Sequence, residues 1–398
     1  MSIARVLNLG AIVFFLLTCL AYGQYALGML LPAGDGFANH TGKIAGGDFL
    51  VFYNTAVMTV DGAATSVWDH AVFEANLTEI FGQEIGLLHF FNPPVGLLLW
   101  WPFGHLPYFS ALWLWTLLPA VGFAWCLHRL TNSWFTTVLC TMAPLMTYNA
   151  GAGQTGAFFA MLLAFFVLHL DRRPALAGSA GAMFVIKPHL AIALPFCLVI
   201  EGRWGALFAM AGVAAGLFLL SVGLFGTDAW LAFVNGIQHH SGEIFAKGTP
   251  LFDRSPSLLL GSLQIGLPAA GAWSIQVTGS LLALIMGLYV LRNSDDHLHR
   301  LFALTLTICL LTPKIMHYDL PILLIPIAIV IARLEAGKAD PPLVIVSMVI
   351  WVLPFLEPFY RQAGYHPGGL VFFLALMAIF VRVLRLPDRP HETVVEAA

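Results

Sequence analysis

Long apolar runs separated by short polar turns dominate this chain. Backbone groups that face lipid must be satisfied within their own segment, so such runs predict helices. They lie near 6–31, 94–128, 134–149, 154–170, 175–187, 189–201, 205–225, 270–291, 300–312, 319–334, 342–356 and 368–386, about twelve candidate transmembrane helices. Several fall short of the roughly 20 residues that cross a bilayer. The runs 175–187 and 189–201 meet at Lys187-Pro188 and read as a broken or re-entrant pair. The run 94–128 contains Pro102, Pro107 and Pro119, each able to split it and change the count. Small residues at 175–182 and 212–216 suit close helix packing.

Basic residues set an orientation. Arg5, His128-Arg129, Arg172-Arg173, Arg203, Arg292 with Arg300, Arg333 with Lys338, and Arg382, Arg385 and Arg389 fall at alternate turns, which belongs to the cytoplasmic side. The intervening turns, 32–92, 149–153, 187–189, 226–256, 313–318 and 357–367, are poor in Arg and Lys and are expected outside. Both termini are then inside. The chain reads as one integral membrane domain over 1–386 with a short cytoplasmic tail, 387–398, in the inner (plasma) membrane. Of two long outer loops, 32–92 carries an amphipathic piece at 67–81 suited to lying flat at the interface. The second, 226–256, carries Trp230, Phe233, His239, His240, Lys247 and Arg254 and is too aromatic for disorder. The first apolar run is longer than a signal-peptide core and reads as an anchor, although Ala21-Tyr22-Gly23 imitates a cleavage site.

Composition agrees. Hydrophobic residues make up 59% of 398 and charged residues 10%, against about 25% in soluble domains. Net charge of −3 leaves no nucleic-acid footprint. The five cysteines sit inside apolar runs without C-x-x-C spacing and read as small buried hydrophobes.

Chemistry-bearing residues concentrate in the outer turns. Gly46-Gly47-Asp48 puts an acid beside two glycines, on backbone free to take unusual dihedrals. Asp48 is a candidate proton acceptor; the alternative is a cap on a helix starting at Phe49. Gly151-Ala152-Gly153-Gln154-Thr155-Gly156 matches G-x-G-x-x-G, but both flanks are membrane helices rather than a βαβ unit. It reads as a tight hairpin, with Gln154 facing a cavity. Lys187 is a cation between apolar runs, expensive at membrane depth and so a functional candidate, unless it snorkels to the interface. Pro313-Lys314-Ile315-Met316-His317-Tyr318-Asp319 packs basic groups, a phenol and an acid into one short turn. Asn92-Pro93-Pro94 reads as a structural helix start, and Trp68-Asp69 as a loop landmark or a cap. No P-loop, G-x-S-x-G or D-x-D pair is present.

Taken in order, Asp48-Phe49 with Tyr53, Trp68-Asp69, Asn92-Pro93-Pro94, Gly153-Gln154, Lys187-Pro188 and His317-Tyr318-Asp319-Leu320 resemble glycosyltransferase family 87, a group of polyprenyl-phosphate-mannose-dependent mannosyltransferases. The likeness spans residues 46 to 320. Trp68 stands where the family pattern has tyrosine, and Asn92 where an aromatic often precedes the prolines, which leaves acceptor and sugar open. The resemblance implies an all-α polytopic GT-C fold with its active site at the extracytoplasmic face. It implies transfer of a hexose, mannose first, from a polyprenyl-phosphate donor to a lipid or glycan acceptor, with inversion. Asp48 would be the general base, with Lys187, Lys314 and His317 at the donor phosphate. Tyr53, Asp69, Gln154, His189, Tyr318, Asp319 and Arg254 would line the cavity, with no metal or cofactor. The rival reading is a transporter or flippase of lipid-linked sugars. Transporters often show two related halves, and none is visible here. A non-catalytic scaffold would leave Lys187 and the 313–319 cluster unexplained.

The orientation is testable by cysteine labelling from outside on a cysteine-free background. Single cysteines within 32–92 and 226–256 are expected to react and those within 391–398 to be protected. The reverse pattern would overturn the topology.

Overall fold

The computed structural model describes residues 3–83, 85, 88–244 and 249–385. Over these the chain is helical, with two isolated β-bridges, Pro32 with Asn39 and Ala38 with Ile44. Lys247 and the tail at 387–398 lie outside the described residues. Among the described residues six helices are long and apolar enough to cross a membrane: Asn8–Leu30, Tyr108–Thr131, Trp204–Gln238, Ala269–Asn293, His317–Glu335 and Pro341–Ala363. Shorter apolar helices, Phe49–Val60, Gly156–His169, Pro174–Ile186, Pro188–Ile200, His297–Leu311 and Gly368–Leu384, pack among them. Every apolar run in the sequence thus holds helix, though many helices are shorter than a bilayer crossing. Large apolar side chains such as Leu20, Leu118, Phe208 and Leu219 are exposed on the outside, a surface that water does not cover favourably. This is a multi-pass membrane protein.

The shorter helices tend to be the more central ones. His297–Leu311 is buried along most of its length, whereas Trp204–Gln238 lies almost entirely on the periphery. Irregular backbone at membrane depth is tolerated where protein, rather than lipid, surrounds it. The 94–128 run shows the same logic. Pro102 and Pro107 break it, through a 3₁₀ turn at Trp101–His105, while Pro119 stays inside the helix Tyr108–Thr131. At Lys187 the backbone leaves the helical region (φ −134°, ψ 71°) because the following proline disfavours it. The chain therefore breaks between the Pro174–Ile186 and Pro188–Ile200 segments, with Lys187 at the apex.

Two expectations are corrected. The second outer loop, 226–256, is helical over its first half: Trp204–Ile244 continues past a single non-helical residue, Gly226 (φ 79°, ψ 167°). That break turns the chain enough for Trp230 Nε1 to donate to Ser221 Oγ at 3.2 Å, and Phe233 then packs edge-on against Trp68. The small residues at 175–182 do pack closely, since a Cβ on Gly178 would fall 2.2 Å from the Ala206 carbonyl oxygen. Gly212 and Gly216 instead face open space, because that side of the peripheral helix has no neighbour.

Polar contacts sort the turns into two ends. At one, Arg203 pairs with Asp171, Arg300 with Glu201, Arg333 with Asp296 and Arg382 with Asp340. Glu335 there accepts from Ser133 and Thr136. At the other end meet the turns expected outside, 46–48, 152–155, 187–189, 312–319 and 357–366. Glycines let them meet. Gly153 (φ +63°) approaches so closely that a Cβ would lie 1.9 Å from Gly46 O, and one on Gly156 would lie 1.6 Å from Tyr318 O.

Gly153→Ala and Gly156→Ala are therefore expected to lower the thermal midpoint in detergent, each by a cost of about 1–3 kcal/mol from overpacking. Gly223→Ala, exposed and with open space around it, is expected to leave the midpoint unchanged or raise it. Equal effects at all three positions would contradict the close-approach account.

Candidate active site

The polar end is built around Asp48. Gly46 (φ +89°) and Gly47 (φ +54°) both occupy the left-handed region, which a side chain would strain, and deliver Asp48 to the start of Phe49–Val60. Asp48 itself is helical in backbone (φ −67°, ψ −5°) and makes no side-chain capping bond. An N-cap usually sits in the β region so that its oxygen reaches back to the N2 or N3 amide; this one does not. Its main-chain N–H donates to Ala152 O at 2.9 Å, and its Oδ2 accepts from Gln154 Nε2 at 2.8 Å. The glycine hairpin at 151–156 thus holds the acid at two points. Its flanks are the helices Pro144–Gly151 and Gly156–His169, as the sequence context requires of a turn that is not a dinucleotide site.

Burial raises the Asp48 pKa, against the Gln154 hydrogen bond and the charges of Arg254, Lys187 and Lys43. Lys187, mostly buried, ion-pairs with the fully enclosed Asp319. It also reaches Thr155 Oγ1 at 3.3 Å and lies over the Tyr318 ring at 5.0 Å. Asp319 is fixed in turn by accepting from Met316 N–H at 3.2 Å. Residues 187 and 317–319, far apart in sequence, are therefore brought together. Lys314 sits over the Phe91 ring at 4.4 Å and makes no ion pair among the described residues. Burial first, and then the like charge of Lys187, lower its pKa to about 8. His189 lies within electrostatic reach of both lysines, and its buried Nε2 has no hydrogen-bond partner among the described residues.

A third arm comes from the C-terminal part. Arg254 Nε ion-pairs with Glu357 Oε1 at 2.8 Å, and Glu357 Oε2 lies 3.8 Å from His317 Nδ1. His317 is wholly buried, with Nε2 2.6 Å from His366 Nε2. His317 Nε2 therefore faces the His366 ring, and its buried Nδ1 makes no hydrogen bond among the described residues. Asn149 ties the arms together, donating to Tyr318 O at 3.0 Å and accepting from Ala157 N–H at 3.1 Å. Gln154 and Asn149 line a cleft together with Trp115, Pro119, Thr141, Met146 and the exposed, apolar Leu117.

Two expected cavity residues are engaged elsewhere. Asp69 caps His70–Phe81, its Oδ1 accepting from Ala71 and Val72 N–H at 3.1 and 3.3 Å, and it is exposed. Tyr53 donates to Leu106 O at 2.8 Å and packs edge-on against Tyr108. Sequence reasoning missed Asn149, Thr155, Glu357 and His366. Glu357 and His366 lie in a turn singled out only as poor in Lys and Arg, where an acid in a charge-poor chain is itself a signal.

The sequence profile of glycosyltransferase family 87 matches residues 90–313, more than half of the chain. Gln154, Lys187, His189 and Arg254 fall inside the matched stretch; Asp48, Lys314 and His317 fall outside it. No curated protein and no solved structure matches. An all-helical membrane bundle whose glycine turn, broken-helix lysine and basic turn converge, and whose sequence fits that profile over most of its length, belongs to glycosyltransferase family 87 and is a membrane glycosyltransferase.

Proposed function

We propose that this chain transfers a hexose, mannose by family likeness, from a polyprenyl monophosphate to a hydroxyl of a lipid or glycan acceptor. The site would lie at the extracytoplasmic face of the inner (plasma) membrane, in a GT-C fold whose short helices complete a count of about twelve. The observation that carries this reading is the Asp48 carboxylate. One oxygen is held by Gln154, the other makes no hydrogen bond among the described residues, and Lys187 and Arg254 act on it.

In the step, the acceptor oxygen attacks the anomeric carbon from the side opposite the phosphate, inverting it, while Asp48 takes the hydroxyl proton. The bond from anomeric carbon to phosphate oxygen breaks, and its electron pair stays on the leaving phosphate, which gains one negative charge. Lys187 and Lys314 would stabilise that charge as it develops, in a dry site where fixed cations act strongly. Arg254, paired with Glu357, adds a third cation. The cleft lined by Gln154 and the exposed, apolar Leu117 supports access for a substrate with an apolar chain.

Asp48→Asn keeps shape and hydrogen bonding but cannot accept the proton. Transfer of labelled sugar from polyprenyl-phosphate mannose is expected to fall about 10²–10⁴-fold in protein that extracts and elutes normally. Near-normal transfer would remove Asp48 as the base. Its raised pKa has a definite sign: the base works when ionised, so activity climbs with pH in a limb above the ordinary carboxylate value of about 3.9.

Lys314 gives the opposite limb. It is charged below about 8 and neutral above, so kcat/KM for donor is expected to decline as pH rises through that value. Lys314→Arg stays charged and should extend the plateau upward. Profiles that superimpose for the two proteins would exclude Lys314 from donor binding.

A further inference from the structure

The proton positions on the buried histidine pair follow from one backbone group. His366 Nδ1 lies 3.0 Å from Gly368 N, an N–H that can only donate. His366 Nδ1 is therefore an acceptor and carries no proton, so the neutral ring bears its proton on Nε2. That Nε2–H points at His317 Nε2, 2.6 Å away, which must be the acceptor. His317 then holds its own proton on Nδ1, facing Glu357 Oε2 at 3.8 Å, and the other Glu357 oxygen is paired with Arg254. Protonating His317 on Nε2 would set two N–H groups against each other, unless His366 gave up its bond to Gly368.

The groups facing this pair come from several elements. Tyr148 lies edge-on to His317 at 5.6 Å, Tyr360 packs on His366 at 4.5 Å, and Tyr22 and Tyr25 lie in the field of Arg254 and Glu357. Tyr318 and Asp319 follow His317 on the same turn. Burial, the larger cause, holds the His366 ring below the ordinary histidine value, in keeping with a ring that stays neutral.

We infer that Glu357 and His366 are positioning residues: together they fix His317 as a neutral imidazole protonated on Nδ1, and so anchor the turn that presents Tyr318 and Asp319 to Lys187. Both lie beyond the stretch that the family profile matches. The tautomer assignment stands on geometry alone; its effect on turnover rests on the transferase reading.

The test is ¹⁵N NMR of histidine-labelled full-length protein in liposomes, with His317→Gln and His366→Gln used for assignment. Across about pH 5.5 to 8, His317 is expected to show a protonated Nδ1 and a bare Nε2, and His366 the reverse. An imidazolium, or a proton on Nε2 of His317, would overturn the inference. In transfer assays His366→Leu removes the N–H that holds His317 Nε2, so kcat should fall with KM for donor unchanged. His366→Gln can still donate and should restore kcat. A His366→Leu protein with wild-type kcat, or a His366→Gln protein no better than His366→Leu, would count against a positioning role. Should Asp48→Asn be silent while the tautomers are as stated, the assignment of Asp48 as base fails and this inference survives.

Discussion

The Asp48 N–H to Ala152 O hydrogen bond, 2.9 Å long, joins two glycine turns that have no other reason to meet. It forms because Gly47 and Gly153 allow main chain to touch main chain, at separations where a Cβ would collide. Two further polar groups of the site are registered to it. Gln154 follows Ala152 by two residues and lands on the Asp48 side chain; Thr155 follows by three and lands on Lys187. Gly156 then lets the Tyr318 carbonyl rest on the next helix, which brings Asp319 within reach of the lysine. Moving the hairpin by one residue would separate the acid from its amide and the lysine from its hydroxyl together.

Charge balance within that frame explains why the groups persist at depth. Lys187, Lys314 and Arg254 share the region with Asp48, Asp319 and Glu357. Two of the cations have a dedicated carboxylate, and breaking such a buried pair leaves an uncompensated charge. Lys314 has an aromatic face and no carboxylate. The raised pKa of Asp48 and the lowered pKa of Lys314 express one fact: each is a charge that the protein desolvates without fully pairing.

How much of this the sequence disclosed depends on range. Apolar runs located the helices, because lipid leaves the backbone no alternative to internal hydrogen bonding. Pro188 announced the break at Lys187, and the poverty of charge singled out the 313–319 turn. What remained hidden was long-range pairing. Asp48 read locally as a possible cap; only the backbone dihedral and Gln154, 106 residues away, decide otherwise. The glycines at 212 and 216 looked like a packing face identical in kind to 175–182, and which of the two found a neighbour is a property of the assembled bundle. The helix beyond Gly226 read as a loop because one glycine interrupts a pattern that resumes after it. Glu357 and His366 were invisible as partners of His317, since nothing local to residue 317 points 40 or 49 positions ahead.

The two ends of the molecule hold their charges differently, and dissolved ions distinguish them. At the end fastened by arginine–carboxylate pairs one pair is wet: Arg203 is 35% exposed and its partner Asp171 74%. Such pairs are worth little individually and are screened over a Debye length of about 8 Å at physiological ionic strength. At the glycine-joined end Lys187 is 11% exposed and Asp319 1%, so mobile ions cannot enter between them. Added salt therefore loosens the Arg203–Asp171 fastening while leaving the Lys187–Asp319 pair as it is, and ionic strength becomes a means of perturbing the one apart from the other.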